Sequence, residues 1–243
     1  MSIYSQDIIS NSGIIINQDK KLYSFNLDTI LLYNFAKPVK KGKVVDLCSG
    51  NGAIGLSLAS KTSAQIYLVE IQKELAALSE KSIEDNKLQQ QVHLINDDLK
   101  NVQAHIDHDT VDMIVCNPPY FKVLDKTALK EKQVLAIARH EVKASLADVL
   151  HSIKVLLKEN SHAYLVYRPE RLSELVAEML QQRLQPKRMR FVRTTARKDA
   201  NLVLLDVVKT VKSASLKVEP DLIIYDDNHQ LSEEANRIIN GDK

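Results

Sequence analysis

The sequence predicts an α/β protein. Its sheet is mostly parallel, with helices on both faces and an antiparallel edge hairpin near the C-terminus, and a short N-terminal cap precedes it. Three observations predict this. From residue 43 onward, short runs rich in β-branched residues alternate with longer helical patterns, the order that right-handed crossovers between parallel strands require. The last two strand runs are joined by too short a loop for a crossover, so they pair antiparallel. The chain has 243 residues, 44% hydrophobic and 26% charged, which suits one large globular domain with small additions.

Residues 1–42 read as the cap: GIIIN (13–17) is a hairpin strand, and DTILLYNFA (28–36) is a helix with Asp28 or Thr29 as its N-cap. The main domain spans 43–243. Strand KVVDLC (43–48) leads into helix AIGLSLASK (53–61), then strand QIYLVE (65–70) and helix QKELAALSEKSIEDNK (72–87). QVHLI (91–95), VDMIVC (111–116) and HAYLVY (162–167) are further strands. Helix ASLADVLHSIKVLLKE (144–159) repeats Leu146, Val149, Leu150, Ile153, Leu156 and Leu157 on one face. Helix PERLSELVAEMLQQRL (169–184) carries Pro169 in its first turn. MRFVRTT (189–195) and NLVLLDVVK (201–209) form the hairpin, and the tail holds one short strand, LIIY.

Net charge is +2, so any nucleic-acid surface must be local. The two cysteines, Cys48 and Cys116, have no CxxC partner and read as buried thiols of a reducing compartment. No basic start with an apolar core opens the chain, and no run approaches the roughly 20 apolar residues of a bilayer span. A cytoplasmic protein is expected.

Three of the six glycines fall in Gly50-Asn51-Gly52-Ala53-Ile54-Gly55, between a strand and a helix. Glycine lets backbone approach a ligand closely, and the helix start offers free N–H groups. Glu70 ends the next strand, where a carboxylate grips ribose hydroxyls. Taken bare, such a turn fits a dinucleotide, a methyl donor or a tight turn with no ligand. Two details lean away from a dinucleotide: Asp46, four residues before Gly50, is placed to meet an amino group, and no hydride-site pair follows downstream. Asp97 and Asp98 end the third strand; an acid there either accepts from an adenine amino group or caps a turn. S-adenosylmethionine has an amino-acid end, a ribose and an adenine. Asp46, Glu70 and Asp98 stand in that order along neighbouring strand ends.

The fourth strand ends in Val115-Cys116-Asn117-Pro118-Pro119-Tyr120-Phe121. Two adjacent prolines give up two backbone donors and cannot continue a sheet. Asn117-Pro118-Pro119-Tyr120 resembles the (D/N/S)PP(Y/F/W) motif of class I amino-methyltransferases, and VVDLCSGNGAIG resembles their cofactor loop. The segment Leu22–Leu32, the pair Ala138-Arg139 and the tail YDDNHQLSEEANRII extend the resemblance to bacterial tRNA(Val) adenine-N6 methyltransferases, the YfiC-like or YabB-like group. It departs at Asn26 and Leu27, where that group often has glycine or valine.

The resemblance implies a Rossmann-like sheet, S-adenosylmethionine as cofactor, and tRNA as partner of a monomer that needs no metal. Its cofactor contacts would be Asp46, Gly50, Asn51, Gly52, Glu70, Ile71, Asp97, Asp98 and Asn117. Its catalytic set would be Asn117, Pro118, Pro119 and Tyr120. An exocyclic amine has its lone pair delocalised into the ring. The Asn117 side-chain oxygen and the Pro118 carbonyl can each accept one N–H and so free that pair for the methyl. Proline holds Asn117 extended, fixing both oxygens before substrate arrives. Tyr120 would offer the base a stacking face, with Phe121 and Arg139 nearby.

Residues 183–198 hold seven basic residues and no acidic ones. Arg188, Arg190, Arg193, Arg197 and Lys198 would make a phosphate strip, or else the solvated face of an edge strand. Residues 122–142 read as a flap over the substrate, and His105 and His108 lack a third metal ligand. The competing readings are methyl transfer to a protein glutamine or an rRNA guanine N2, and a non-catalytic RNA- or protein-binding module that keeps the fold.

Overall fold

In the computed structural model, residues 4–9, 12–19, 22, 25–120, 144–213 and 215–241 are described. Strands β1 (Tyr4–Ile9) and β2 (Ile14–Asp19) pair antiparallel as a sheet of their own, and α1 (Leu27–Phe35) follows. The central series is β3 (Lys43–Leu47), α2 (Ala53–Ala59), β4 (Gln65–Val69), α3 (Lys73–Asp85), β5 (Val92–Ile95), a 3-10 turn (Leu99–Ala104) and β6 (Val111–Cys116). Then come α4 (Leu146–Leu156), β7 (Leu157–Tyr167), α5 (Leu172–Gln181), β8 (Leu184–Arg193), β9 (Ala200–Lys209), β10 (Lys217–Val218), β11 (Leu222–Ile223) and α6 (Glu233–Asn240).

The strand order is β10-β8-β9-β7-β6-β3-β4-β5, with β11 also beside β8. β9 runs antiparallel to β7 and β8, and the other described pairs of this sheet are parallel. The chain winds outward from β3 through β4 and β5, then returns to its other side at β6. Such a reversal leaves a crevice at the carboxyl ends of the middle strands.

Alternation along the strands fills two cores. Val44 of β3 and Met113 and Val115 of β6 pack toward α1 and α2, in the cluster that holds Leu31, Leu32, Leu56 and Leu58. Val45, Leu47, Ile114 and Cys116 pack toward α4 and α5, with Val149, Leu150, Ile153 and Leu175. Strands covered on both faces need apolar residues on both, hence their nearly continuous apolar runs. The β1–β2 hairpin is tied to α3: Asn86 bonds both the N–H and the carbonyl of Ile15, and the Asn17 N–H donates to Ser82 Oγ.

Three boundaries differ from the sequence reading. The helix expected at 144–159 ends at Leu156, because Leu157 turns extended (φ −64°, ψ 137°) and pairs with Val111. Residues 158–161 then bulge, with Asn160 at φ 64°, before His162 resumes the ladder opposite Met113. The helix expected at 169–184 is a 3-10 turn (Pro169–Arg171) and α5, which stops at Gln181 before Arg183 goes left-handed (φ 60°). β8 therefore begins at Leu184 rather than 189. It tolerates Pro186 because its outer neighbour β10 joins only at Arg188. The expected hairpin is β8–β9, and the tail strands β10 and β11 extend the sheet beyond it.

Candidate active site at the carboxyl ends of the parallel strands

The turn after β3 is built on left-handed backbone: Cys48 at φ 58°, Gly50 at 59° and Gly52 at 77°. For a cysteine that conformation is uncommon and strained. Gly55 opens α2 where a Cβ would run into the Leu68 Cδ2 methyl and meet Asp46 at 3.1 Å. Glycine there lets the helix lie directly on β4.

Two buried carboxylates hold this turn from below. Asp46 Oδ2 accepts from the Gly55 N–H at 2.8 Å, while its other oxygen is buried without a partner. Burial pushes the Asp46 carboxyl up to about 7, against the pull of that bond. Glu70 Oε2 accepts from the Gly50 N–H and Oε1 from the Gln72 N–H, each at 2.8 Å. Burial raises it to about 7 as well, although three backbone N–H groups favour its charge. Asn96, not singled out in the sequence, donates to the Glu70 carbonyl at 2.8 Å and ties β5 to the turn.

A cavity opens over the turn. Gly50, Asn51, Glu70, Ile71, Asp97, Asp98, Asn117 and Pro119 line it, joined by Thr29 and Gln72, which the sequence reading did not select. Gly52, Pro118 and Asp46 lie off that lining: Gly52 turns into α2, Pro118 is buried, and Asp46 braces the loop from beneath. Asp97 Oδ2 meets His105 Nε2 at 2.8 Å, and Oδ1 accepts from Asn101 and from the Asp98 N–H. Those side-chain bonds lower it to about 2. Asp98 caps the 3-10 turn through the Lys100 N–H. His105 is thus spent on Asp97 and His108 on Gln103. Among the described residues no three His, Cys, Asp or Glu side chains gather as a metal site.

Asn117 leaves the sheet beside the glycine turn, because the β3–β6 register sets Leu47 opposite Cys116. Tyr120 departs from expectation. It is 8% exposed and off the cavity lining, so the stacking face expected of it is not presented there. Its hydroxyl lies 2.8 Å from Asp28 Oδ2 and 2.6 Å from Asn117 Oδ1. The ring meets Tyr167 edge to face, with the Arg168 guanidinium 5.0 Å from its centroid. Arg171 donates to the Tyr120 carbonyl at 2.8 Å. Asp28 does not cap α1 as expected: Asn26 does, accepting from the Thr29 N–H. Nothing in the sequence linked Asp28 to Tyr120, 92 residues away.

The expected basic strip is largely committed within the chain. Arg188 bonds the Phe35 carbonyl and Glu219, Arg190 bonds Glu234 and the Pro220 carbonyl, and Arg193 bonds Asp221 and the Lys198 carbonyl. The tail strands β10 and β11, paired beside β8, bring Glu219 and Asp221 to these arginines, which the sequence does not reveal. Arg197 and Lys198 remain at the surface. Phe121, Arg139 and the segment 122–142 lie outside the described residues.

The site therefore joins an acceptor-rich cavity, a glycine turn and an amide–proline corner on a switch-point crevice, the arrangement of a class I methyltransferase. The family model for the methyltransferase small domain matches residues 26–149, and the chain belongs to that family. A protein named tRNA1(Val) (adenine(37)-N6)-methyltransferase from Tolumonas auensis is 30% identical over 193 residues, 78% of each chain. One of the same name from Photobacterium profundum is 26% identical over 194 residues, 78% of this chain and 80% of its own. The fold matches the crystal structure titled a predicted O-methyltransferase from Agrobacterium tumefaciens, with TM-score 0.70 and 20% identity over 88% of this chain and 96% of that one. The chain is an S-adenosylmethionine-dependent methyltransferase. Its cavity fits that cofactor: beside it, Asp46 Oδ1, Ser49 Oγ, Asn51 Oδ1 and Gln72 Oε1 are buried without partners, and the cofactor's ammonium, hydroxyls and adenine amine are donors. Among the described residues no helix is long and apolar enough to cross a membrane.

Proposed function

We propose that the chain methylates the exocyclic N6 amine of an adenine in tRNA. The observation that carries the reading is the side-by-side departure of Asn117 and the glycine turn from paired strands into one cavity. The relatives' shared name supplies the substrate.

S-adenosylmethionine, when bound, supplies a methyl group activated by its sulfonium. Glu70 would take the ribose hydroxyls; Gly50 and Asn51 would face the amino-acid end, with Gly52 and Asp46 supporting the turn. Ile71, Asp97 and Asp98 would flank the adenine. The Asn117 side-chain oxygen and the Pro118 carbonyl accept hydrogen bonds from the two N–H groups of the target amine and hold its lone pair toward the methyl. Preorganised acceptors of this kind need no reorganisation during reaction. The amine becomes acidic as its new bond forms, so no strong base is required. Pro119 stiffens the corner, and Tyr120 braces it from the protein side. Phe121 and Arg139 contact the substrate, and Arg197 and Lys198 meet RNA phosphates. Residues 1–42 act as a cap, with Thr29 on the cavity wall. The enzyme acts as a cytoplasmic monomer without a metal.

The test is transfer of tritiated methyl to unmodified tRNA transcripts, with ribosomal RNA and protein as competing acceptors and nucleoside mass spectrometry of the product. N6-methyladenosine in tRNA is the expected result. Label appearing in protein or in ribosomal guanine, with none in tRNA, would overturn the reading.

A further inference from the structure

The Tyr120 hydroxyl stands between two acceptor oxygens, Asp28 Oδ2 at 2.8 Å and Asn117 Oδ1 at 2.6 Å. A hydroxyl carries one proton and can serve only one of them. Two acceptor oxygens so close to the hydroxyl, with a single proton for both contacts, are not a stable arrangement. The carboxylate is the stronger acceptor, and bonds to ionised oxygen are roughly twice as strong as neutral ones. Asp28 is buried at 7% exposure, so little water competes for it. The proton therefore goes to Asp28, and the Tyr120 oxygen turns a lone pair toward residue 117. The amide satisfies that lone pair by presenting its NH₂, which a half-turn about its last side-chain bond achieves in the same volume. Its carbonyl oxygen then points away from Tyr120.

We propose that Asp28, acting through the Tyr120 hydroxyl, is a positioning residue that fixes the amide of Asn117 with its oxygen toward the methyl-accepting amine. This rests on the function proposed above and deepens it. The surroundings hold the relay in place. Arg168 Nη2 lies 4.0 Å from Asp28 Oδ2 and its guanidinium covers the Tyr120 ring, while Arg171 anchors the Tyr120 carbonyl. The hydroxyl cannot swing toward solvent without breaking that packing. Without the Asp28 carboxylate the hydroxyl proton loses the stronger of its two acceptors. The amide is then free to offer NH₂ where the reaction needs an acceptor.

Two measurements test the relay. Neutron diffraction from deuterated crystals locates the protons directly. A deuteron on Tyr120 Oη directed at Asp28, with Asn117 Nδ2 facing Oη, is expected; a deuteron directed at an Asn117 oxygen overturns the proposal. Kinetics give the second. Asp28→Asn can donate as well as accept, so it loses the direction. It should lower kcat by about ten- to a hundredfold, the cost of a misplaced group, with KM for S-adenosylmethionine within about twofold. In a Tyr120→Phe background the same substitution should change kcat by less than about twofold, since the relay is already cut. A merely structural Asp28 would give the same loss in both backgrounds, and that result overturns the proposal. Failure of the wild type to methylate tRNA would sink the tRNA reading alone, because the deuteron positions decide the relay without turnover.

Discussion

Asp46→Asn should make the cofactor-free protein more stable at pH 8 and less stable at pH 4. The folded Asp46 carboxyl keeps its proton up to about pH 7, where the ordinary value is 3.8. Between those values the folded state binds more protons than the unfolded chain, so stability falls as pH rises through that window. The full displacement corresponds to about 4 kcal/mol at 1.36 kcal/mol per pH unit, an order-of-magnitude figure. Asparagine keeps the acceptor for the Gly55 N–H and removes the ionisation. Its NH₂ takes the place of the unpartnered Oδ1, and a buried donor without an acceptor costs about 1–3 kcal/mol. The expected net gain at pH 8 is about 1–3 kcal/mol. Below pH 4 both side chains are neutral and only the cost of the buried NH₂ remains, so the variant should be about 1–3 kcal/mol less stable than wild type.

Urea unfolding of wild type and variant at several pH values between 4 and 8 measures the difference directly. The variant's midpoint should lie below that of wild type at pH 4 and rise above it by pH 8, at constant m-value. A difference independent of pH would show that burial of the Asp46 charge is not what strains the turn. Glu70, also raised to about 7 by burial, gives each protein a falling slope of its own, and its charge adds to the rise at Asp46.

Three further outcomes follow from the site. Gly55→Ala forces a methyl into Leu68; overpacking of about 1–3 kcal/mol, offset by about 1 kcal/mol of helix propensity, should lower Tm by up to about 8 °C, and a raised Tm would contradict the packing. Asn117→Ala should retain S-adenosylmethionine binding by calorimetry and lose about a hundred- to a thousandfold in kcat; transfer at the wild-type rate would remove Asn117 from the chemistry. Arg197→Ala and Lys198→Ala should each weaken tRNA binding and flatten the plot of log affinity against log salt by about one, whereas Arg190→Ala should show mainly as lost stability, because Arg190 holds Glu234.

The sheet and its motifs were legible because their signals are local. Val44, Val45 and Leu47 are apolar on both faces of β3, broken only by Asp46, because both faces are covered, and a turn that must reach φ of 59° and 77° spends two glycines in three positions. Helix ends were less legible: the apolar stripe of α4 runs on through Leu157, which continues the pattern but belongs to a strand. The roles of charged residues were the least legible. Arg188, Arg190 and Arg193 read as a free strip, yet their partners Glu219, Asp221 and Glu234 lie 28 to 44 residues on, brought back by short strands of two residues each. Asp46 was read as a ligand contact, and its burial under Gly55 became visible only when α2 was laid on β4.

The same distinction separates what the proline corner does from what makes it able to do it. In the proposed reaction Asn117, Pro118 and Pro119 determine which atoms face the amine, and a short motif suffices for that. They do not determine the polarity of the amide, because a carboxamide fills the same space in either orientation. That choice needs a charge of fixed sign at a fixed distance, which a loop open to a cavity cannot supply to itself. Here it comes from Asp28 on α1, with Arg168 and Arg171 holding Tyr120 from the segment after β7. Residues before the sheet thus belong to the catalytic apparatus as much as the motif does, and exchanging the cap between relatives should preserve cofactor affinity while altering kcat whenever the position of Asp28 is not matched.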